Sequence, residues 1–389
     1  MEKNFGNPNA INRILPALIE YMRRLDFYTI AVTNAKHQKK YLNAFLNVLK
    51  RGIYLRGPEN KKLTALLSKK IGAPVISVAS GHDALLLTLQ SLHLQLSDEV
   101  IIPANAYPTA FAAALCGAKL TLVDVDKNGQ LASSTVANAI NRHTKAVIMV
   151  HLYGATGDID AIDLLCKQKG IILIEDCAQA FGTTYKNKYV GTIGTVGCFS
   201  FYPTKNLGSF GDGGAISTKN KSLCIEIQKR TLYGETTRYN STLIAGHSNL
   251  PELQAAGLII SLRNADTILR AKKQVASWYM EAIQRLSPRV IPLVSDEAST
   301  PALHLFVVRA SRRDALRQFL AKRHIPTYIH YPTPVHLVPS FAHLGYTRGS
   351  FPNAELMAKE IISLPFHASM TKKDVLTVIH TISKFYTSF

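Results

Sequence analysis

The chain has 389 residues, of which 47% are hydrophobic and 18% are charged, a composition typical of a globular protein and not of a disordered one. Its 45 Lys and Arg against 26 Asp and Glu give a formal net charge of +19, yet the basic residues are scattered and the sequence carries no recognisable nucleic-acid-binding motif. We therefore expect no nucleic-acid partner and interpret the charge as a basic surface that attracts anionic substrates.

The cysteines and the apolar segments argue against disulfides, metals and membranes. The five cysteines form no CxxC pair, so the sequence predicts buried free thiols, no disulfides and no metal site. No apolar run reaches the roughly 18 residues of a membrane span. Residues 14–22 are amphipathic but carry an acid and no cleavage site, which argues against a signal peptide. We expect a cytoplasmic protein.

Three parts follow along the chain. Residues 1–36 form an N-terminal extension of unknown role. Within residues 37–262, strand-like runs alternate with helical patterns, which predicts an α/β domain with a mostly parallel sheet covered by helices. The clearest predicted strands are 99–103, 120–125, 146–151, 171–176 and 197–201. Residues 263–389 begin with a long helical stretch and predict a smaller α+β domain with a strand at 303–308 and helices at 311–322 and 371–384.

Three of these segments carry chemistry. Residues 75–85 predict a strand, a small-residue turn at Ser80 and Gly81 and a helix start, a geometry that directs backbone N–H groups at an anion. The buried run that follows at 171–176 ends in Asp176, and ligands bind at the carboxyl ends of parallel strands. Lys205 closes a third apolar run, where a lysine either snorkels to solvent or forms a Schiff base. Together they supply the parts of a pyridoxal 5′-phosphate site.

With these segments, the chain resembles the DegT/DnrJ/StrS family of pyridoxal-phosphate sugar aminotransferases over nearly its full length. No single motif is diagnostic, but their order and spacing are specific. The motifs that carry the resemblance lie at residues 56–59, 79–81, 102–107, 150–154, 174–180, 182, 197–208, 211–215, 252–256, 329–332 and 363–365. The resemblance implies a fold type I PLP-dependent transferase that works as a homodimer with shared active sites.

The resemblance also implies roles for individual residues. Lys205 would bind the cofactor as a Schiff base and act as acid and base, and Asp176 would face the pyridine nitrogen. Gln179 would approach the phenolic oxygen of the cofactor and Tyr107 would stack on its ring. The phosphate would be held by Ser80, Gly81 and Ser200, beside His82, which replaces a threonine common in the family. His247 or Asn249 would stand in for an asparagine that reaches the partner subunit's phosphate.

The implied reaction transfers an amino group from a donor, L-glutamate, to a nucleotide-linked ketosugar, giving an aminosugar for polysaccharide or natural-product biosynthesis. Gln179 favours a 3-keto-(di)deoxyhexose, because many family members that act on 4-ketosugars have histidine there. His330, Tyr331 and His336 lie in family-like segments near where a substrate could bind, although a structural role is the favoured interpretation of each histidine. A 4-ketosugar or a cyclitol substrate, and a regulatory protein without catalysis, stay open as alternatives. Lys205 argues against the family's dehydratases, which have histidine in its place.

Overall fold

The computed structural model describes residues 25–28, 30 and 37–388. Most of the predicted N-terminal extension, residues 1–36, therefore lies outside the described residues. The part that is described packs against the body of the protein. Leu25 contacts the apolar core of the C-terminal part, and Phe27 is buried beside Tyr28 and Tyr328.

The first half of the chain alternates helices and strands as the sequence predicts. Its elements are α1 (Gln38–Arg51), α2 (Pro58–Ile71), β1 (Val75–Val78), α3 (Gly81–Gln90), β2 (Glu99–Pro103), α4 (Tyr107–Ala114), β3 (Lys119–Val123), α5 (Ser133–Ala139), β4 (Thr144–Val150), α6 (Ile159–Lys169), β5 (Ile172–Asp176), β6 (Thr184–Tyr185), β7 (Lys188–Tyr189), β8 (Val196–Ser200), β9 (Gly214–Thr218) and α7 (Lys221–Arg230).

The second half contains one long helix and a small sheet. Its elements are β10 (Glu235–Thr237), β11 (Asn240–Ser241), α8 (Glu252–Ile283), β12 (Val290–Pro292), β13 (Ser299–Thr300), β14 (Phe306–Ala310), α9 (Arg313–Ala321), α10 (Pro352–Glu360), β15 (Ile361–Leu364) and α11 (Lys372–Thr387). Short 3-10 turns lie at Leu152–Gly154, Gln284–Leu286, Val335–Leu337 and Pro339–Leu344.

The central sheet has seven strands in the order β1-β9-β8-β5-β4-β2-β3. Strands β8, β5, β4, β2 and β3 pair in parallel, and β9 runs antiparallel to both of its neighbours. The parallel strands are buried on both faces, which explains why they are almost continuous apolar runs. The expected mostly parallel sheet flanked by helices is confirmed; the ends of β5 and β8 are adjacent, and β9 separates β8 from the end of β1.

Helix α8 joins the two parts of the molecule. Its first half packs in an apolar core with α2 and β8, and its second half packs in a separate core with β14, β15 and α11. The three-stranded antiparallel sheet β12-β14-β15 belongs to that second core. The predicted domain boundary between residues 262 and 263 lies inside this helix.

The structure shows the state of the cysteines and the character of the helices. All five cysteines are free; three are buried and two, Cys116 and Cys224, are half-buried. Across residues 37–388 and the short described piece before them, no helix combines the length and apolarity needed to cross a bilayer.

Candidate active site

A cavity of about 340 Å³ opens at the edge where strands β1, β5 and β8 end. It brings together most of the residues to which the sequence gave a role, and it adds residues that had none. The predicted residues that line it are Ser80, Gly81, His82, Asp176, Gln179, Ser200, Lys205 and Tyr331, and the others include Thr109, Tyr202 and Asp212.

The small-residue turn after β1 forms one end of the cavity. Ser80 caps helix α3, because its hydroxyl accepts a hydrogen bond from the Asp83 N–H at 3.0 Å. Gly81 lies against Ser200, and a Cβ at position 81 would come within 2.5 Å of the Ser200 Cβ. This close approach to Ser200 is possible only because residue 81 is glycine, and the helix N-terminus makes this end of the cavity favourable for an anion. His82 is exposed at the same end of the cavity.

Asp176 ends strand β5 and is buried in the opposite wall. One carboxylate oxygen accepts from the Thr109 hydroxyl at 2.7 Å and the other accepts from the Ala178 N–H at 3.0 Å. Both hydrogen bonds fix the orientation of the carboxylate, which faces the cavity. Thr109 gave no signal in the sequence, since it is one of many threonines on apolar helices.

The Gln179 side chain has a defined orientation. Its Oε1 accepts from the Tyr153 N–H at 2.7 Å, and its Nε2 donates to the Tyr331 hydroxyl at 3.3 Å. Tyr153 holds this geometry with a left-handed backbone, φ 63°, which is costly for a buried aromatic residue and often marks a functional site. The amide therefore presents N–H groups, and not its carbonyl, towards the ligand side.

Lys205 lies in the loop after β8 and lines the cavity with its partly buried side chain. Burial lowers the pKa of its amine to about 8, and the Asp176 carboxylate opposes that shift. An amine with this pKa is neutral in a useful fraction of molecules near neutral pH, and the neutral form is the nucleophile. The snorkelling alternative does not describe this lysine.

The outer wall comes from residues distant in the sequence. Tyr107 does not line the cavity itself; it is 37% exposed and stacks on Tyr331, which does, with ring centroids 5.7 Å apart. Tyr28 lies beside Lys205 in a neighbouring chamber, and burial raises the pKa of its phenol to about 12. The described part of the N-terminal extension thus reaches the site, which its sequence did not indicate.

The two histidines predicted on the substrate side do not line this cavity. His330 bonds to the Ser363 hydroxyl at 2.9 Å, its carbonyl accepts from the Tyr153 hydroxyl, and burial lowers its pKa to about 4. His336 is buried and pairs with Glu355 at 2.9 Å. Of the three predicted residues in this segment, only Tyr331 faces the cavity.

Asn249 is engaged within its own chain. Its carbonyl oxygen accepts from the Arg56 guanidinium at 2.6 Å, and its amide nitrogen contacts His247 Nε2 at 2.9 Å and the Thr231 carbonyl at 3.3 Å. Neither Asn249 nor His247 lines the cavity of this subunit. Their predicted role at a partner subunit's phosphate stays a prediction.

One group of possible metal ligands lies beneath the cavity. Atoms of His151, Glu175 and Cys177 lie within 4.8 Å of one another. Both Glu175 oxygens already accept hydrogen bonds, at 2.6 to 2.8 Å, from backbone N–H groups of the loop 191–194, and one of them also contacts His151 Nε2 at 3.0 Å. We interpret this carboxylate as the support of strand β5 and not as a metal ligand.

This arrangement has known counterparts. A model of the DegT/DnrJ/EryC1/StrS aminotransferase family matches residues 35–383. The chain belongs to this family. DegT-family aminotransferases use pyridoxal phosphate, so the protein is a pyridoxal-phosphate-dependent aminotransferase.

Individual DegT-family relatives share about a third of the sequence. The dTDP-3-amino-3,6-dideoxy-alpha-D-galactopyranose transaminase of Aneurinibacillus thermoaerophilus is 36% identical over 93% of this chain and 99% of the relative. The erythromycin biosynthesis sensory transduction protein EryC1 of Saccharopolyspora erythraea is 38% identical over 86% of this chain and 92% of the relative. The solved structure of Streptomyces venezuelae DesV in complex with a ketimine intermediate superposes with a TM-score of 0.90 at 35% identity, covering 93% and 98% of the two chains.

The residues in the cavity fit the cofactor of the DegT family. The turn at Ser80 and Gly81 suits a phosphate, since it opens helix α3 at the cavity and glycine at position 81 lets the turn lie directly against Ser200. Asp176 suits a protonated ring nitrogen, and the Gln179 N–H groups suit a phenolic oxygen. Lys205 supplies an amine of lowered pKa in the same cavity. The donor set therefore matches an anionic, aromatic aldehyde with a basic ring nitrogen.

Proposed function

We propose that the protein transfers an amino group from L-glutamate to a nucleotide-linked 3-keto-(di)deoxyhexose. The observation that carries the proposal is the meeting of Lys205, Asp176 and Gln179 around one cavity beside an anion-binding turn. Bound pyridoxal phosphate supplies an aldehyde that condenses with amines and a ring that withdraws electrons from the carbon next to nitrogen.

The residues of this chain supply the rest of the chemistry in the proposal. Lys205 holds the cofactor until the amino donor displaces it, and its freed amine then takes the proton from the α-carbon of the donor. The lowered pKa suits both steps, because the amine must be neutral to accept a proton and must hold it briefly before returning it. The Asp176 carboxylate would stabilise a protonated ring nitrogen of the cofactor, and the Thr109 hydroxyl fixes the orientation of that carboxylate.

Two observations support a sugar with a keto group at carbon 3. The Aneurinibacillus relative is named for a product aminated at that carbon. In this chain the corresponding wall carries Gln179, whose amide is held between Tyr153 and Tyr331. By resemblance, many family members that act on 4-ketosugars have histidine at this position, so glutamine favours the 3-keto isomer.

We propose further that the active unit is a homodimer. Leu42, Leu46 and Leu49 lie at helical spacing on α1 and are 53%, 50% and 53% exposed, although apolar stripes of this kind are usually covered. Tyr239 and Ile244, in and after the β10-β11 hairpin, are 83% and 101% exposed. Light scattering is expected to give the mass of two chains, and Leu46→Glu with Leu49→Glu is expected to shift it to one.

The rival function of another class is a regulatory protein that binds the cofactor without catalysis, and the name of the EryC1 relative keeps this rival in view. The two functions differ in one step. An aminotransferase converts L-glutamate to 2-oxoglutarate once per site without an acceptor, whereas a binder leaves L-glutamate unchanged.

The test of the proposal therefore has two stages. Holoenzyme mixed with L-glutamate is expected to release one 2-oxoglutarate per site. Washed enzyme is then offered a dTDP-linked 3-keto-6-deoxyhexose, its 4-keto isomer and a keto-cyclitol, and the first is expected to be aminated fastest. No 2-oxoglutarate would favour the regulatory function, and faster amination of the 4-keto isomer or the cyclitol would contradict the substrate assignment.

A further inference from the structure

A second buried lysine lies behind the loop that carries Lys205. Lys272, on helix α8, donates to Asn206 Oδ1 at 2.7 Å and to the His304 carbonyl at 3.1 Å, and its nitrogen is 4.9 Å from the centre of the Phe366 ring. Among residues 37–388 no carboxylate forms an ion pair with it, and burial lowers its pKa to about 7. A buried amine without a counter-ion is costly, so the contacts that it makes require an explanation.

Asn206 links this lysine to the reactive loop. It follows Lys205 directly in the chain, and its side chain is buried. The amide nitrogen of Asn206 donates to the Ala302 carbonyl at 2.6 Å and to the Phe181 carbonyl at 3.3 Å, while its oxygen accepts from Lys272. One side chain thus ties the neighbour of Lys205 to three separate segments of the molecule.

The loop itself is closed tightly, so a shift of Asn206 moves Lys205. The Lys205 N–H donates to the Tyr202 carbonyl at 2.8 Å, and the Ser209 N–H donates to the Phe201 carbonyl at 2.8 Å. A Cβ at Gly208 would come within 2.3 Å of the Pro203 oxygen. This close packing leaves the loop little room to relax locally around a displaced Asn206.

We propose that Lys272 is a positioning residue, which by donating to Asn206 holds the loop so that the Lys205 amine stays in the cavity beside Asp176. The hydrogen bond and not the charge is the operative contact, because an amine donates in either of its protonation states. The inference rests on the role that the proposed function gives to Lys205.

The test measures Lys205 in the protein without cofactor. Competitive labelling with acetic anhydride across pH, read by peptide mass spectrometry, gives the apparent pKa of Lys205, with the exposed Lys219 as an internal reference. Lys272→Met removes the donor, so the loop loosens, Lys205 gains solvent and its pKa rises towards 10.5. Since each pKa unit lowers the neutral fraction at pH 7 tenfold, labelling of Lys205 at pH 7 is expected to fall by about 10-fold or more.

A matched variant separates the hydrogen bond from the charge. Lys272→Gln keeps a donor for Asn206 but carries no charge, so its Lys205 labelling is expected within about 3-fold of the wild type. Asp176, His304 and His330, whose charges interact with Lys205, are unchanged in both variants. Equal shifts in the Met and Gln variants would assign the effect to the charge and overturn the proposal, as would an unchanged Lys205 in the Met variant.

A third variant covers the case in which Lys272→Met does not fold. Asn206→Leu keeps Lys272 and breaks its link to the loop, so the same loss of Lys205 labelling is expected, and wild-type labelling would overturn the proposal. The readout needs neither cofactor nor turnover. A failure of the proposed aminotransfer therefore appears separately, as absent 2-oxoglutarate with an intact labelling pattern.

Discussion

The two buried lysines of this protein share a lowered pKa and differ in almost everything else. Lys205 lines a cavity beside the Asp176 carboxylate. Lys272 has both of its described hydrogen bonds inside the protein, to Asn206 and to the His304 carbonyl, and an aromatic ring over its amine. Burial shifts both pKa values in the same direction, so the shift alone does not identify a catalytic amine.

The difference lies in what each amine can reach. Lys205 has an adjacent carboxylate and an anion-binding turn within the same cavity, whereas Lys272, which lines the neighbouring chamber, has structural partners. The proposed chemistry therefore depends on the region around the ends of β1, β5 and β8, and the region around α8 holds the reactive loop in place.

The largest expected effect comes from Lys205→Ala. Turnover is expected to fall by about 10⁴-fold, because the variant loses both the nucleophile and the general base. Its thermal midpoint is not expected to fall at neutral pH, since the change removes an amine whose charged form is costly to bury. Lys272→Gln is the matched control and is expected to retain most activity. Comparable losses of turnover in Lys205→Ala and Lys272→Gln would contradict the assignment of a catalytic role to Lys205 and a positioning role to Lys272.

Asp176→Asn is expected to reduce turnover by roughly 10²-fold. A neutral amide no longer stabilises the positive charge on the ring nitrogen of the cofactor. Steady-state rates at saturating glutamate measure this. The change removes the carboxylate that raises the pKa of Lys205, so the labelling pKa of Lys205 is expected to fall below about 8. A raised pKa would contradict the described electrostatics.

Thr109→Val is expected to cost about 10-fold in turnover, since a hydrogen bond to a charged group is lost while the shape is kept. Steady-state rates at saturating glutamate measure this effect too. Thr88→Val is the control, because the described hydrogen bonds of the Thr88 hydroxyl are to its own helix and to Cys198. An unchanged rate in Thr109→Val would show that Asp176 needs no orienting partner.

The pH dependence of stability gives a smaller, signed effect. The folded pKa of Lys205, about 8, lies below its unfolded value of about 10.5, so the folded protein holds fewer protons between these values. The destabilisation that the buried Lys205 amine causes is complete below pH 8 and disappears as the pH rises towards 10.5. Without cofactor, Lys205→Met is therefore expected to melt at a higher temperature than wild type at pH 7, with a gap that narrows above pH 8. A difference in melting temperature that widens above pH 8 would contradict the downward shift of the Lys205 pKa.

The smallest effect is expected at His336. Its bond to Glu355 places it outside the cavity, so His336→Gln, which keeps a donor there, is expected to change the KM for the sugar by less than about 2-fold. Tyr331→Phe, which removes the partner of Gln179, is expected to change it by about 5-fold. A larger change in the KM for the sugar with His336→Gln would support the substrate-binding role that the sequence suggested for His336.

The sequence located the chemistry of the strand ends well and the supporting contacts poorly. Asp176 and Lys205 follow apolar runs, and parallel strands bring such ends together whatever the loops do. Lys272 gave a weaker signal that could have been used, because it shares the helical spacing of the buried Val275 and Tyr279. Tyr153 lies in a family-like segment, but nothing in the sequence indicated its left-handed backbone, whose N–H donates to Gln179 and whose carbonyl accepts from the His304 N–H.

The most direct measurement of the central claim is the position of the cofactor. Holoenzyme is reduced with borohydride, digested and mapped by mass spectrometry. The account predicts that the pyridoxyl group is found on Lys205. Its presence on Lys272, or on any other lysine, would contradict the assignment of the reactive amine to the loop after β8.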